Sequence, residues 1–274
     1  MNPLLFLRRI WAFIVRDWRL ELSYRMQFFI RVLSILIVVV TMFFISKIFT
    51  GFTDPRFSQW RDPLPAWLTG FAVLNYFMTG FSSLATAIRQ EQTQGTLESV
   101  LMTPISVPTV IVASSAWDFV QATFFSSLYL LFGWLFFGVH YRGSFLLALG
   151  VLVLTTMVLS CLGILSASFA MVFKRGDPFG IFLGAGSALF SGVFFPTQLI
   201  REYAGGLATI SKILPATYGL DGIRRILIEG QGFAEVRDPL ITLLLFLAVL
   251  LPLSLWVFGR AVRRAKREGS LIQY

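Results

Sequence analysis

Residues 28–49 read FFIRVLSILIVVVTMFFISKIF, a run in which only Arg31, Ser34, Thr41, Ser46 and Lys47 depart from apolar character. A helix crosses a hydrocarbon core ~30 Å thick with about 20 mostly apolar residues, so this stretch is long enough to span. Working outward, five further blocks have the same character: Ala66–Ile88, Thr109–Val139, Phe145–Phe173, Phe179–Phe195 and Leu240–Phe258. Lipid offers backbone groups no hydrogen-bond partners, so such blocks must be helices and not open strands. The apolar–polar alternation of a membrane β-barrel strand is absent from them. Composition agrees, with 56% hydrophobic and 14% charged residues, against about a quarter charged in soluble domains. The expectation is an all-α membrane protein with six transmembrane helices within residues 26–259.

The net charge of +9 raises the possibility of nucleic acid. The basic residues sit beside apolar spans instead, where topology and anionic lipid both favour them, so no nucleic-acid partner is expected. One cysteine, Cys161, and one histidine, His140, exclude an internal disulfide and a Cys/His metal cluster.

Residues 1–25 are amphipathic and do not resemble a cleavable leader. Leu4, Leu7, Trp11, Ile14, Trp18 and Leu22 recur at helical spacing, while Arg8, Arg9, Arg16 and Arg19 fall on another side. That pattern describes a helix lying in the membrane interface. Five arginines before the first span join Arg89, Lys174, Arg175 and the basic tail over 260–274, which carries Arg260, Arg263, Arg264, Lys266 and Arg267. These make thirteen basic residues on one side of the membrane against nine on or near the other, so both termini are expected in the cytoplasm.

Two connections stand out. The loop Arg89–Pro108 is polar, then reads as a short helix stopped at Thr103-Pro104, because the residue before proline avoids the helical region. The connection Pro196–Asp238 is long yet apolar. Leu199–Leu214 and Tyr218–Ile228 each read as a short amphipathic helix, divided by Pro215. Too short to span, they are expected to form a re-entrant pair over about 197–238, dipping into the outer leaflet.

Within the fifth block, Gly180, Gly184, Ala188 and Gly192 recur every four residues and fall on one helix face. Small residues at this spacing let helices approach closely. The face is open to two readings, a subunit or gate interface and packing within one chain. Arg31 and Asp118 are ionisable groups inside apolar runs, either functional or reaching for the interface. Phe71, Tyr76, Phe77, Phe81, Phe190, Phe194 and Phe195 are candidates to line a path for an apolar substrate, although most membrane phenylalanines face lipid or core. There is no G-x-x-x-x-G-K-S/T phosphate loop, no catalytic constellation and no chain of intramembrane acids. The chain is therefore not expected to be an enzyme, and energy comes from a partner unless transport is passive.

The loop Glu91-Gln92-Thr93-Gln94-Gly95-Thr96-Leu97-Glu98-Ser99-Val100-Leu101-Met102-Thr103-Pro104-Ile105-Ser106 resembles the E-x-x-x-G-T-L-E-x-L-L-x-T-P-I-S segment of ABC-2 type permeases, with Val100 where leucine is common. Leu214-Pro215-Ala216-Thr217-Tyr218-Gly219-Leu220-Asp221-Gly222-Ile223-Arg224 resembles the segment before their last span. The likeness covers nearly the whole chain and is greatest to the drug and lipo-oligosaccharide exporter branch.

The resemblance implies a coupling helix at about 95–103 that docks on a separate nucleotide-binding ATPase subunit. Glu91, Gly95, Thr96, Leu97, Glu98, Leu101, Thr103 and Pro104 would make it, with Leu97 and Leu101 as an apolar knob four residues apart. It implies two permeases with two ATPases, ATP and Mg bound only by the partner, and no cofactor in this chain. The N-terminal helix, with Arg8, Arg9, Trp11, Arg16 and Trp18, would rest against the ATPase. The first and fifth spans would meet their mates in a homodimer. The implied function is export of an amphiphilic drug, lipid or lipid-linked glycan across a bacterial or archaeal plasma membrane. A passive pore is the alternative, but a polar pore-lining face is not evident in the sequence.

Overall fold

The computed structural model describes residues 25–49, 62–93, 107–173, 178–195, 197, 206 and 208–267, with single positions between 11 and 23. Among them all regular structure is helical: α1 (Arg25–Phe49), α2 (Leu64–Thr93), α3 (Val107–Phe137), α4 (Phe145–Phe173), α5 (Pro178–Phe190), α6 (Ala208–Ile213), α7 (Pro215–Leu227) and α8 (Arg237–Arg267).

Four helices are long and apolar enough to cross a membrane, at Arg25–Ile48, Ala116–Phe137, Phe145–Phe169 and Arg237–Arg264. Two of the six expected spans differ. α2 runs for 30 residues but carries Thr69, Asn75, Thr79, Ser82 and Ser83. Its environment explains this. α1, α3, α4, α5 and α7 all pack on it, so much of its surface faces protein and not lipid. The other exception, α5, has only 13 residues, about 20 Å at 1.5 Å per residue. It stops five residues short of the expected Phe195.

Successive long helices alternate in direction. Phe43 near the end of α1 stacks on Phe137 at the end of α3, ring centroids 4.3 Å apart. The start of α2 reaches the chain after α5, where the Trp67 indole donates to the Phe194 carbonyl at 2.8 Å. The amide of Arg142, in the α3–α4 loop, donates to the Leu227 carbonyl of α7 at 2.9 Å. That end of the bundle is the loop end. Trp18 packs edge-on against Trp117, at the start of the apolar part of α3, at the opposite end. The two ends of the described chain leave there together.

Two cores hold the bundle. The larger joins α2, α4, α7 and α8 through Phe77, Phe81, Val158, Leu159, Leu220, Ile226 and Leu243. The smaller joins α1, α2 and α3 through Ile35, Val39, Leu68, Phe125 and Leu128. Polar contacts reinforce the second seam: Asn75 donates to Ser126 Oγ at 3.2 Å, and Ser126 donates to the Ala72 carbonyl at 2.6 Å. α2 and α4 cross closely at Gly80 and Gly163. A Cβ at Gly163 would collide with the Gly80 carbonyl oxygen and lie 3.0 Å from that of Phe81.

Candidate functional site

Pro215 is the first residue of α7, where its missing amide is no loss. Ala216, Gly219, Leu220, Ile223, Ile226 and Leu227 form the buried face of that helix. On another side Arg225 pairs with Asp221 at 2.8 Å. Arg224 lies four residues after Leu220 and three before Leu227, so it falls along the apolar stripe. Its Nη1 donates to the Gly192 carbonyl at 2.6 Å. Its Nη2 donates to the carbonyls of Ala66 at 2.8 Å and Val193 at 3.2 Å. Burial pulls its pKa down to about 10 despite nearby Asp221, so the guanidinium remains charged at neutral pH. The arginine thus ties α7 to the start of α2 and to the chain leaving α5. Trp67 and Ser211 complete this loop-end knot, the latter donating to the Phe190 carbonyl at 2.7 Å.

The seven aromatic candidates do not form one path. Phe77 and Phe81 are 0% and 1% exposed, sealed in the larger core. Phe71 meets Phe194 edge-on at 5.6 Å and stacks with Tyr129 at 6.1 Å. This trio adjoins the knot. Phe190 and Phe195 are half-buried at the two edges of the same break. Tyr76 faces elsewhere and bonds Thr123. It lines a cleft of about 140 Å³ with Thr69, Ser126, Leu130, Phe145 and Leu149. α3 and α4 both pack on α2 and hardly touch each other, so the cleft lies between them over α2. Phe145 and Leu149 are exposed, and the opening faces the side of the bundle.

The small-residue ladder of α5 is shorter than expected. Gly180 and Gly184 are buried and Ala188 is half-buried, whereas Gly192 lies beyond the helix with φ +87°. It cannot continue the face because the chain turns there into the knot. A Cβ on Gly184 would lie 3.0 Å from the sulfur of Met78 in α2. At that rung the close approach is made within the chain.

At the opposite end, Arg31 donates to Gln121 at 3.1 Å and its guanidinium lies 4.0 Å from the Phe125 ring centroid. The partner of this cation is therefore Gln121, one turn beyond Asp118. Trp11 and Trp18 are 66% and 52% exposed, and Trp18 meets Trp117 at 5.7 Å. Arg8, Arg9 and Arg16 lie outside the described residues, as do Gly95, Thr96, Leu97, Glu98, Leu101, Thr103 and Pro104 of the expected coupling helix. The helix path of α2 covers Glu91, whose side chain is not described. Trp67, Gln121 and Ser211 carry no signal in the sequence, and Arg224 figures there only as the end of the Leu214–Arg224 segment and as one of the basic residues near the outer face. The available signal was the place of Arg224 on an otherwise apolar helical face.

A multi-pass bundle, all-helical among the described residues, with a polar knot at one end whose side chains bond the carbonyls of a broken helix, defines a membrane protein. The model of the ABC-2 type transporter family matches residues 8–228, and the chain belongs to that family as a membrane transport subunit. It is similar to the inner membrane transport permease YadH of Escherichia coli (strain K12) and of Shigella flexneri. Each is 25% identical over 240 residues, which cover 85% of this chain and 87% of the relative.

Proposed function

We propose that this protein is the permease subunit of an ATP-driven exporter, moving an amphiphilic drug, lipid or lipid-linked glycan outward across the plasma membrane. The observation that carries the reading is the family match over residues 8–228, which takes in the Glu91–Ser106 motif. The relatives named inner membrane transport permeases support that location.

The membrane-crossing unit has six passes, with α2 and the α5 segment supplementing the four strongly apolar helices. Both termini are cytoplasmic, beside Arg260, whose guanidinium lies 3.7 Å over the Trp256 ring. ATP and Mg are bound by a separate ATPase, and two permease copies complete the transporter. Force enters through residues 95–103 and reaches the bundle through α2 and α3, which flank that loop in sequence. The Trp18–Trp117 contact gives the N-terminal segment a second attachment to α3. The lateral cleft beside Tyr76 suits an apolar tail entering from the bilayer.

The test is co-reconstitution with a nucleotide-binding subunit, measuring ATPase rate across a panel of lipids, drugs and glycolipids. One class should raise the rate. In the double variant Leu97→Asp, Leu101→Asp, ATP hydrolysis should persist while transport of that class is lost. Normal transport by the double variant refutes the coupling assignment, and absence of any complex with an ATPase favours a passive pore.

A further inference from the structure

A backbone that leaves helical geometry within a membrane protein must find other partners for its carbonyls and amides. The chain does so only halfway after α5. The carbonyls of Phe190, Gly192, Val193 and Phe194 accept from Ser211, Arg224, Arg224 and Trp67 respectively. These donors come from three separate helices. The amides fare differently. Ser191 still donates back to Ser187 at 2.9 Å, but among the described residues those of Gly192, Val193, Phe194 and Phe195 donate to no backbone carbonyl. The buried hydroxyls of Ser187 and Ser191 likewise have no partner there. Much of the bonding capacity at this break is unused, and Ser187, Ser191, Gly192 and Val193 are buried residues, for which that is uncommon.

The same residues have a second arrangement open to them. Phe179–Phe195 is one apolar run ending at Pro196, where proline stops a helix. Helical continuation to Phe195 would give every one of those amides a carbonyl four residues back. It would lengthen α5 from about 20 Å to about 27 Å, close to the thickness it must cross. Gly192, now at φ +87°, is the residue that tolerates both forms.

We propose that residues 191–195 are a two-state latch: a short α5 held by Arg224, Trp67 and Ser211, and a long α5 in which those donors are released. Lengthening parts Phe194 from Phe71 and releases Ser211, Arg224 and Trp67 from the carbonyls of Phe190, Gly192, Val193 and Phe194, while the Arg224 bond to Ala66 remains. The latch stands on this chain's own bonding. Its service as the outer gate of transport rests on the exporter reading above.

Hydrogen–deuterium exchange with residue-resolved fragmentation, on the full-length protein in lipid nanodiscs, reads the two forms directly. Gly192→Ala disfavours the left-handed conformation and Arg224→Met removes three donated bonds. Both should slow exchange at Gly192–Phe195 by at least about tenfold, since a helix protects amides that the latch leaves open. A merely structural knot predicts the reverse, faster exchange in Arg224→Met. Unchanged or faster exchange in both variants overturns the proposal. Should neither variant fold, the wild-type complex with its ATPase is read in ADP and in a non-hydrolysable ATP analogue. Slowing in one state supports the latch, and equal rates overturn it. Failure to bind any ATPase sinks the exporter reading alone; the latch is then read on the wild-type protein by itself, where two exchange populations at Gly192–Phe195 support it and a single fast one overturns it.

Discussion

Gly163 and Gly150 lie on the same helix yet predict opposite outcomes. A side chain at Gly163 must push against two backbone carbonyls of α2, which cannot turn aside, whereas Gly150 faces open space. Gly163→Ala should therefore cost about 1–3 kcal/mol by overpacking and lower the Tm of the purified protein. Gly150→Ala should leave it unchanged or slightly raised, since alanine favours helix by up to about 1 kcal/mol over glycine. At this scale the sequence was partly legible. The periodic glycines of α5 were visible because they repeat, but the close crossing of α2 and α4 uses a single glycine on each, Gly80 and Gly163, which carry no periodic signal. Arg31 was readable as a costly charge in an apolar run. Its acceptor Gln121 is distant in sequence, and only packing of α1 on α3 brings the two together.

At the scale of elements, uninterrupted apolar blocks located α1, α3, α4 and α8, because lipid imposes one simple demand over some twenty residues. α7 was legible too, from Pro215 and the spacing of its apolar face. The end of α5 was not. Its local sequence is compatible with helix through Phe195, and the donors that hold it open lie on α2, α6 and α7. A window along the chain does not register competition from residues so far away. The N-terminal segment offers a further prediction. Trp18 and Trp117 form an edge-on pair, of a kind worth about 0.5–1.5 kcal/mol beyond area. Trp18→Ala should loosen residues 11–23 from the bundle, measured as several-fold faster proteolysis there with the span-resident Tm unchanged. Unaltered cleavage would mean that other contacts fix the segment.

For the whole molecule, alternation of the long helices brings Arg25 and Arg267 to one end of the described bundle. With the cytoplasmic orientation proposed above, green fluorescent protein fused to either terminus should fluoresce in cells. A dark fusion at both ends inverts the orientation, and at one end alone it breaks the even count. The parting of α3 from α4 carries a practical corollary. A dent of about 140 Å³ between α3 and α4, lined mostly by apolar surface, suits a hydrocarbon chain better than ordered water. Whatever amphiphile extracts the protein inherits the duty of filling it. Slender unbranched detergents should preserve the bundle to higher temperature than rigid steroid-based ones, making the solubiliser a silent component of the fold.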